Sequence, residues 1–131
     1  MIKIKKVEVY PSKEKFGIVH KLVVGGENLN QLKESFNKFS SAKSFEADNN
    51  TINLVFNDQN RFQFELEKPL EDYYTDEVHQ AWKAMVADAL GMEEPFRYYS
   101  FFTEEGEHLG TVGFKQDCDS FYPIIVIYKK F

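Results

Sequence analysis

Apolar and polar positions alternate with a period of two along most of this chain and switch to helical spacing in two places. Residues 2–10 and 18–24 are rich in Ile and Val on either side of the turn-like sequence PSKEKFG, which predicts a hairpin. In the first of these strands the apolar set moves from Ile2 and Ile4 to Val7 and Val9. That reversal of face predicts a bulge near Lys5–Lys6, because one inserted residue shifts every later side chain to the other side of a strand.

After Gly25–Gly26, Leu29, Leu32, Phe36 and Phe39 recur at helical spacing, with Asn28 and Gln31 placed as a capping box. This helix has a narrow apolar stripe and is expected to lie on a sheet. Three alternating strands follow, with Phe45 and Ala47, then Ile52, Leu54 and Phe56, then Phe62, Phe64 and Leu66 on one face. Asn49–Asn50 suits a tight turn with positive φ, and Asn57–Asn60 a longer one. A second helix is predicted over 76–90, with Thr75 as N-cap, Asp76 and Glu77 favouring the helix dipole and Gly91 as stop. Its apolar face is Val78, Ala81, Trp82, Met85, Val86, Ala89 and Leu90. Strands near 96–103, 108–116 and 122–130 complete the chain; FRYYSFF and YPIIVIY are apolar on both faces, so they are placed inside the sheet with cover on each side.

The order is ββ-α-βββ-α-βββ. It predicts a single α+β domain over 1–131, with a curved, mostly antiparallel sheet and two helices packed on it. At 131 residues with 43% hydrophobic and 16% aromatic content, the chain can bury a core without a disulfide or a metal. Its longest apolar run, Pro123–Tyr128, is too short for a membrane helix, and Met1–Lys6 lacks the apolar stretch of a secretory signal. With a lone cysteine, Cys118, there is no internal disulfide, and a cytoplasmic location is expected.

Charge changes the picture more than composition does. The net charge of -5 divides into about +5 through Lys43 and about -10 over the remainder. Chemistry-bearing residues show no catalytic spacing: His20, His79 and His108 form no HExxH or HxH pair, and His20 is expected to pack at a sheet edge. Asp117 and Asp119 disfavour a thiolate at Cys118. Serine lacks an elbow motif, and Gly25–Gly26 is a turn rather than a phosphate loop. No catalytic residue, metal or cofactor is assigned. The aromatics of FRYYSFF and RFQFELE are not read as a nucleic-acid platform, since between Glu71 and Glu107 only Lys83 and Arg97 oppose ten acids.

Those acids give the functional expectation. Glu71, Asp72, Asp76 and Glu77 surround Tyr73 and Tyr74, and Glu93, Glu94, Glu104, Glu105 and Glu107 would gather beside them if the final hairpin packs near the second helix. Tyrosines ringed by acids suit recognition of a basic protein surface, with aromatic anchors for affinity and charge for encounter. The expected function is a non-enzymatic module that inhibits or neutralises a basic partner, such as a toxin or a nucleic-acid-processing enzyme, without binding nucleic acid or membrane itself. In size, acidity and absence of a catalytic motif the chain is similar in kind to bacterial immunity proteins and phage-encoded inhibitors of host defence. Two alternatives stand beside it. One is a small-ligand binder or enzyme with an aromatic pocket lined by Phe62, Phe64, Tyr98, Phe102 and Trp82. The other is a structural or oligomeric component that pairs through its last strand. A monomer or weak homo-oligomer is expected.

Overall fold

A computed structural model describes residues 2–12, 14, 17–88, 96–116 and 121–128. The predicted element order holds throughout: β1 (Ile2–Ser12), β2 (Gly17–Gly25), α1 (Leu29–Lys38), β3 (Ala42–Asp48), β4 (Thr51–Phe56), β5 (Arg61–Glu65), a 3-10 turn (Leu70–Tyr73), α2 (Asp76–Asp88), β6 (Phe96–Thr103), β7 (His108–Gln116) and β8 (Phe121–Tyr128). The strands form one sheet in the order β3-β4-β5-β1-β2-β6-β7-β8. The N-terminal hairpin therefore sits at the centre, with one antiparallel three-stranded meander on each side.

Two parallel pairings join the meanders to the hairpin, β1 with β5 and β2 with β6. All other neighbours are antiparallel. The β1–β5 pairing extends only over Ile2–Phe64 and Lys3–Glu65, whereas β2 and β6 pair from Gly17–Phe96 to Val24–Thr103. The sheet curls until its two outer strands, β3 and β8, lie against each other. The register shift in β1 falls between Ile4 and Lys6, at the predicted bulge, and it returns Val7 and Val9 to the face of Ile2 and Ile4.

Strict alternation along β2 places Ile18, His20, Leu22 and Val24 on the concave face. Both helices pack on that face, at opposite ends of it. α1 inserts Leu32 and Phe36 into the main core with Ile2, Ile4, Leu22, Val24, Ile52, Leu54, Phe56, Phe62, Phe64, Leu66, Tyr99, Phe101, Leu109 and Val112. Burial of this kind stabilises by about 1.5–3 kcal/mol for each large side chain. α2 lies over the other end, where Val78 and Trp82 meet Ile18, Val9 and Tyr74 in a separate, smaller cluster.

Four local expectations need correction. The last strand, β8, expected inside the sheet, is an outer strand of it. Asn28 does precede α1, but its φ of 71° is left-handed and its side chain makes no capping bond. A capping side chain works from an extended N-cap backbone, which Asn28 does not have. Ala47 is exposed on the outer strand β3, although its cross-strand partner Ile52 is buried in the main core. In the β3–β4 turn only Asn49 has positive φ, at 51°. By contrast, Thr75 caps α2 as expected, its Oγ1 accepting from the Val78 N–H at 3.2 Å. Gly91, Ala89, Leu90 and Cys118 lie outside the described residues.

Candidate functional site

The acidic stretch is held by three backbone devices. Pro69 enters the 3-10 turn, whose Asp72 N–H donates to Pro69 O and whose exit Tyr74 N–H donates to Glu71 O. Leu70 N–H donates to Asn49 O, tying this turn to the β3–β4 hairpin. Thr75 then starts α2 with Asp76 and Glu77 in its first turn, where the helix dipole favours anions. Glu71, Asp72, Asp76 and Glu77 are all exposed, and among the described residues none of them is in an ion pair. Tyr73 is half-buried against the main core, with Lys68 Nζ 4.6 Å from its ring centre.

Tyr74 does not join Tyr73 on the acidic surface. It follows the 3-10 turn in an extended conformation, φ -77° and ψ 129°, and turns inward to the α2 end of the concave face. There it meets a histidine that its sequence pattern had placed at a sheet edge. His20 is fully buried in a central strand, stacked on Tyr99 at 4.3 Å between ring centres and edge-on to Tyr74.

The hydrogen bonds around His20 have one consistent direction. The Tyr98 carbonyl can only accept, so His20 Nδ1 carries the proton and donates to it at 3.1 Å. Nε2 is then an acceptor, and the Tyr74 hydroxyl donates to it at 2.5 Å. Tyr74 Oη in turn accepts from Arg97 Nη1 at 3.0 Å. The Arg97 guanidinium lies 5.7 Å from the ring centres of both Tyr74 and Trp82, within cation–π range. Burial pushes the His20 pKa down to about 3, and the Arg97 charge pushes the same way, against the Tyr98 carbonyl. Burial also raises Tyr74, with Arg97 opposing, and raises Tyr99. The chain is thus neutral at His20 and Tyr74 and cationic only at Arg97.

The remaining acids lie elsewhere. β6 runs parallel to β2, from Phe96 beside Gly17 to Thr103 beside Val24, so its outgoing turn is at the α1 end of the sheet. Glu104 lies over Gly25 beside Lys5, and Glu107 pairs with Lys33 of α1. Glu104, Glu105 and Glu107 are therefore separated from the α2 start by most of the length of β2, and the expected single acidic zone does not form. Glu93 and Glu94 lie outside the described residues. Among the expected acids, Glu71 and Asp72 lie in the 3-10 turn and Asp76 and Glu77 in the first turn of α2, within one short segment.

The aromatic pocket does not assemble either. Phe62 and Phe64 belong to the main core, Trp82 to the α2 cluster, and Tyr98 and Phe102 alternate with the concave-facing Tyr99 and Phe101 and so face the other side of β6. On that side Ser100, Thr111 and His108 form a closed polar triangle: Ser100 Oγ to Thr111 Oγ1 at 2.8 Å, and His108 Nε2 to each hydroxyl at 3.0 and 2.8 Å. Ser100 and Thr111 are buried, which makes this a tie across the β6–β7 hairpin. An open depression of about 460 Å³ lies at the start of α1, lined by Gly26, Asn28, Leu29, Asn30 and Gln31. Among the described residues no three His, Cys, Asp or Glu side chains gather as a metal site.

Sequence reasoning missed His20 and Arg97 as partners of Tyr74. The available signal was a histidine on the inward face of an otherwise Ile/Val/Leu strand, since a buried polar group requires hydrogen-bond partners. Comparison with known protein families, with curated proteins and with solved structures gives no match. No helix among the described residues is long and apolar enough to cross a membrane.

Proposed function

We propose that the protein is a non-enzymatic inhibitor or neutraliser of a basic partner protein, a toxin or a nucleic-acid-processing enzyme, in the manner of an immunity protein or a phage anti-defence inhibitor. It acts in the cytoplasm as a monomer or weak homo-oligomer. The observation that carries this reading is the run Glu71, Asp72, Asp76 and Glu77, four exposed carboxylates on a short segment fixed by a 3-10 turn and a capped helix start, with no ion-pair partner among the described residues.

Like charges held this close repel one another, so their concentration opposes folding unless a cation is brought to them. A cationic protein surface relieves that repulsion and gains encounter rate from the same field. Tyr73, half-exposed beside these acids, supplies aromatic contact at their margin. Tyr74, also part-buried, has its hydroxyl engaged by His20 and Arg97 and supports the acidic segment from beneath.

Affinity capture from source cells tests this reading. A specific partner should bind at about 0.05 M salt and be released at about 0.5 M, where screening shortens to a few ångströms. Reversal of all four acids, Glu71→Lys, Asp72→Lys, Asp76→Lys and Glu77→Lys, should weaken that partner by about a hundredfold or more, equivalent to about 2.8 kcal/mol. Reversal of Glu104 and Glu105, at the other end of the sheet, should change it less than about threefold. Capture that ignores salt, or full affinity in the quadruple variant with its fold intact, would defeat the proposal.

A further inference from the structure

We infer that the Arg97–Tyr74–His20 chain is a latch that seats α2 and its acidic first turn on the sheet, and that this segment can detach as a unit while the core around α1 stays folded. Two independent features lead to this. First, among the described residues α2 contributes no side chain to the main core, whereas α1 gives it Leu32 and Phe36. The described apolar hold on α2 is Val78 and Trp82, clustered with Ile18, Val9 and Tyr74 apart from that core, together with the buried Met85. An element whose buried contacts form a cluster apart from the main core can open as a unit of its own.

Second, the polar chain joins three separate elements, β2 through His20, the link before α2 through Tyr74, and β6 through Arg97. Each bond fixes the direction of the next. If His20 Nε2 takes a proton, Tyr74 loses its acceptor and an imidazolium faces the Arg97 guanidinium. The groups that face His20 are Tyr74 from the link, Tyr99 and Arg97 from β6, and the cross-strand Val9 of β1; the charged group acting on it is Arg97. Protonation is therefore opposed from the β6 side, and at neutral pH the latch is closed.

The seating of α2 stands apart from the partner proposal; only its consequence for binding rests on that proposal. Amide hydrogen exchange at pH 7 separates the two. Tyr74→Phe keeps the ring but removes the hydroxyl from both of its bonds, and it should speed exchange of α2 amides by about ten- to a hundredfold. Amides of β1, β4 and β5 should stay within about threefold of the parent. His20→Gln, whose amide can donate to the Tyr98 carbonyl and accept from Tyr74, should fall between the two. Equal acceleration in α2 and in the strands, or none in α2, would overturn the latch. The unmodified chain gives a second test, because Trp82 is its sole tryptophan and lies in α2 under Arg97. On acidification Trp82 fluorescence should change at higher pH than the methyl resonances of core Ile52 and Leu54, and coincident transitions would overturn the inference. If the acid-reversed variant keeps normal α2 exchange and no partner is found, the function proposal fails and the latch stands.

Discussion

Gly110 of β7 offers the most direct test of how α1 is seated. It pairs with Phe101 across β6–β7 and faces the concave side, where the fully buried Phe36 covers it. A Cβ placed on Gly110 would lie 2.3, 2.4 and 2.7 Å from Phe36 Cδ1, Cγ and Cε1. Carbon atoms in contact sit about 3.5–4.0 Å apart, so the ring would have to move by roughly 1 Å or more. It has little room, being edge-on to Phe56 at 5.3 Å and tilted against Phe101 at 5.7 Å. Gly110→Ala should therefore cost about 3 kcal/mol, the upper part of the range for overpacking. Phe36→Ala should cost about 3–5 kcal/mol on its own, but it removes all three clashing atoms. In that background Gly110→Ala should cost less than about 0.5 kcal/mol, since the new methyl fills part of the space left by the ring. Urea unfolding of the four proteins in a common stabilising buffer would yield a coupling of about 2–3 kcal/mol. If the two costs simply add, α1 does not rest on β7 as described, and the closed curl of the sheet loses its central contact.

Acid stability should report on His20. Its folded pKa of about 3 lies below the ordinary 6.5, so the unfolded chain binds the proton first and stability falls as pH drops from about 6.5 towards 3. This loss approaches about 1.4 kcal/mol per pH unit, on the order of 4–5 kcal/mol in all, and His20→Gln should remove it from the pH profile of urea midpoints. Parent and variant profiles of equal slope would contradict the burial assigned to this ring. Thr111→Val should cost about 1–3 kcal/mol by leaving Ser100 and His108 with one fewer partner, read as a lowered urea midpoint; an unchanged midpoint would show the polar triangle to be dispensable. Asn49, at φ 51° in the β3–β4 turn, should tolerate Gly with little change in melting temperature, whereas Asn49→Val should cost about 1–2 kcal/mol through the left-handed backbone.

Most of the architecture could be read from the chain because it is written in local periods. Ile52, Leu54, Phe56, Phe62, Phe64 and Leu66 recur at every second position of their strands, and all six are buried. The face reversal between Ile4 and Val7 marked the β1 bulge, and Thr75 marked the start of α2. Strand order was not readable. The parallel pairings β1–β5 and β2–β6 bring together segments tens of residues apart, and the intervening alternation would be the same for several sheet orders. Ala47 fails for a related reason, since alternation assigns a face but does not say which strand is outermost and so less covered.

The acidic site was legible as a composition and illegible as a surface. Tyr73 and Tyr74 are neighbours in sequence, yet the chain leaves the 3-10 turn for extended backbone between them, and their rings go to different clusters. What draws Tyr74 inward is His20, 54 positions away, which needs a donor for Nε2 once the Tyr98 carbonyl has fixed its Nδ1 proton. Glu104, Glu105 and Glu107 are carried off for an equally remote reason: β6 runs parallel to β2, so the turn after it emerges at the α1 end. The same two long-range facts define the surviving candidate. Glu71, Asp72, Asp76 and Glu77 remain on one short segment, joined to the main core through Leu70 and Tyr73 and to β2 and β6 through the polar chain of Tyr74. A partner that binds Asp76 and Glu77 acts on the helix that the polar chain seats, so partner affinity and the seating of α2 should be thermodynamically linked.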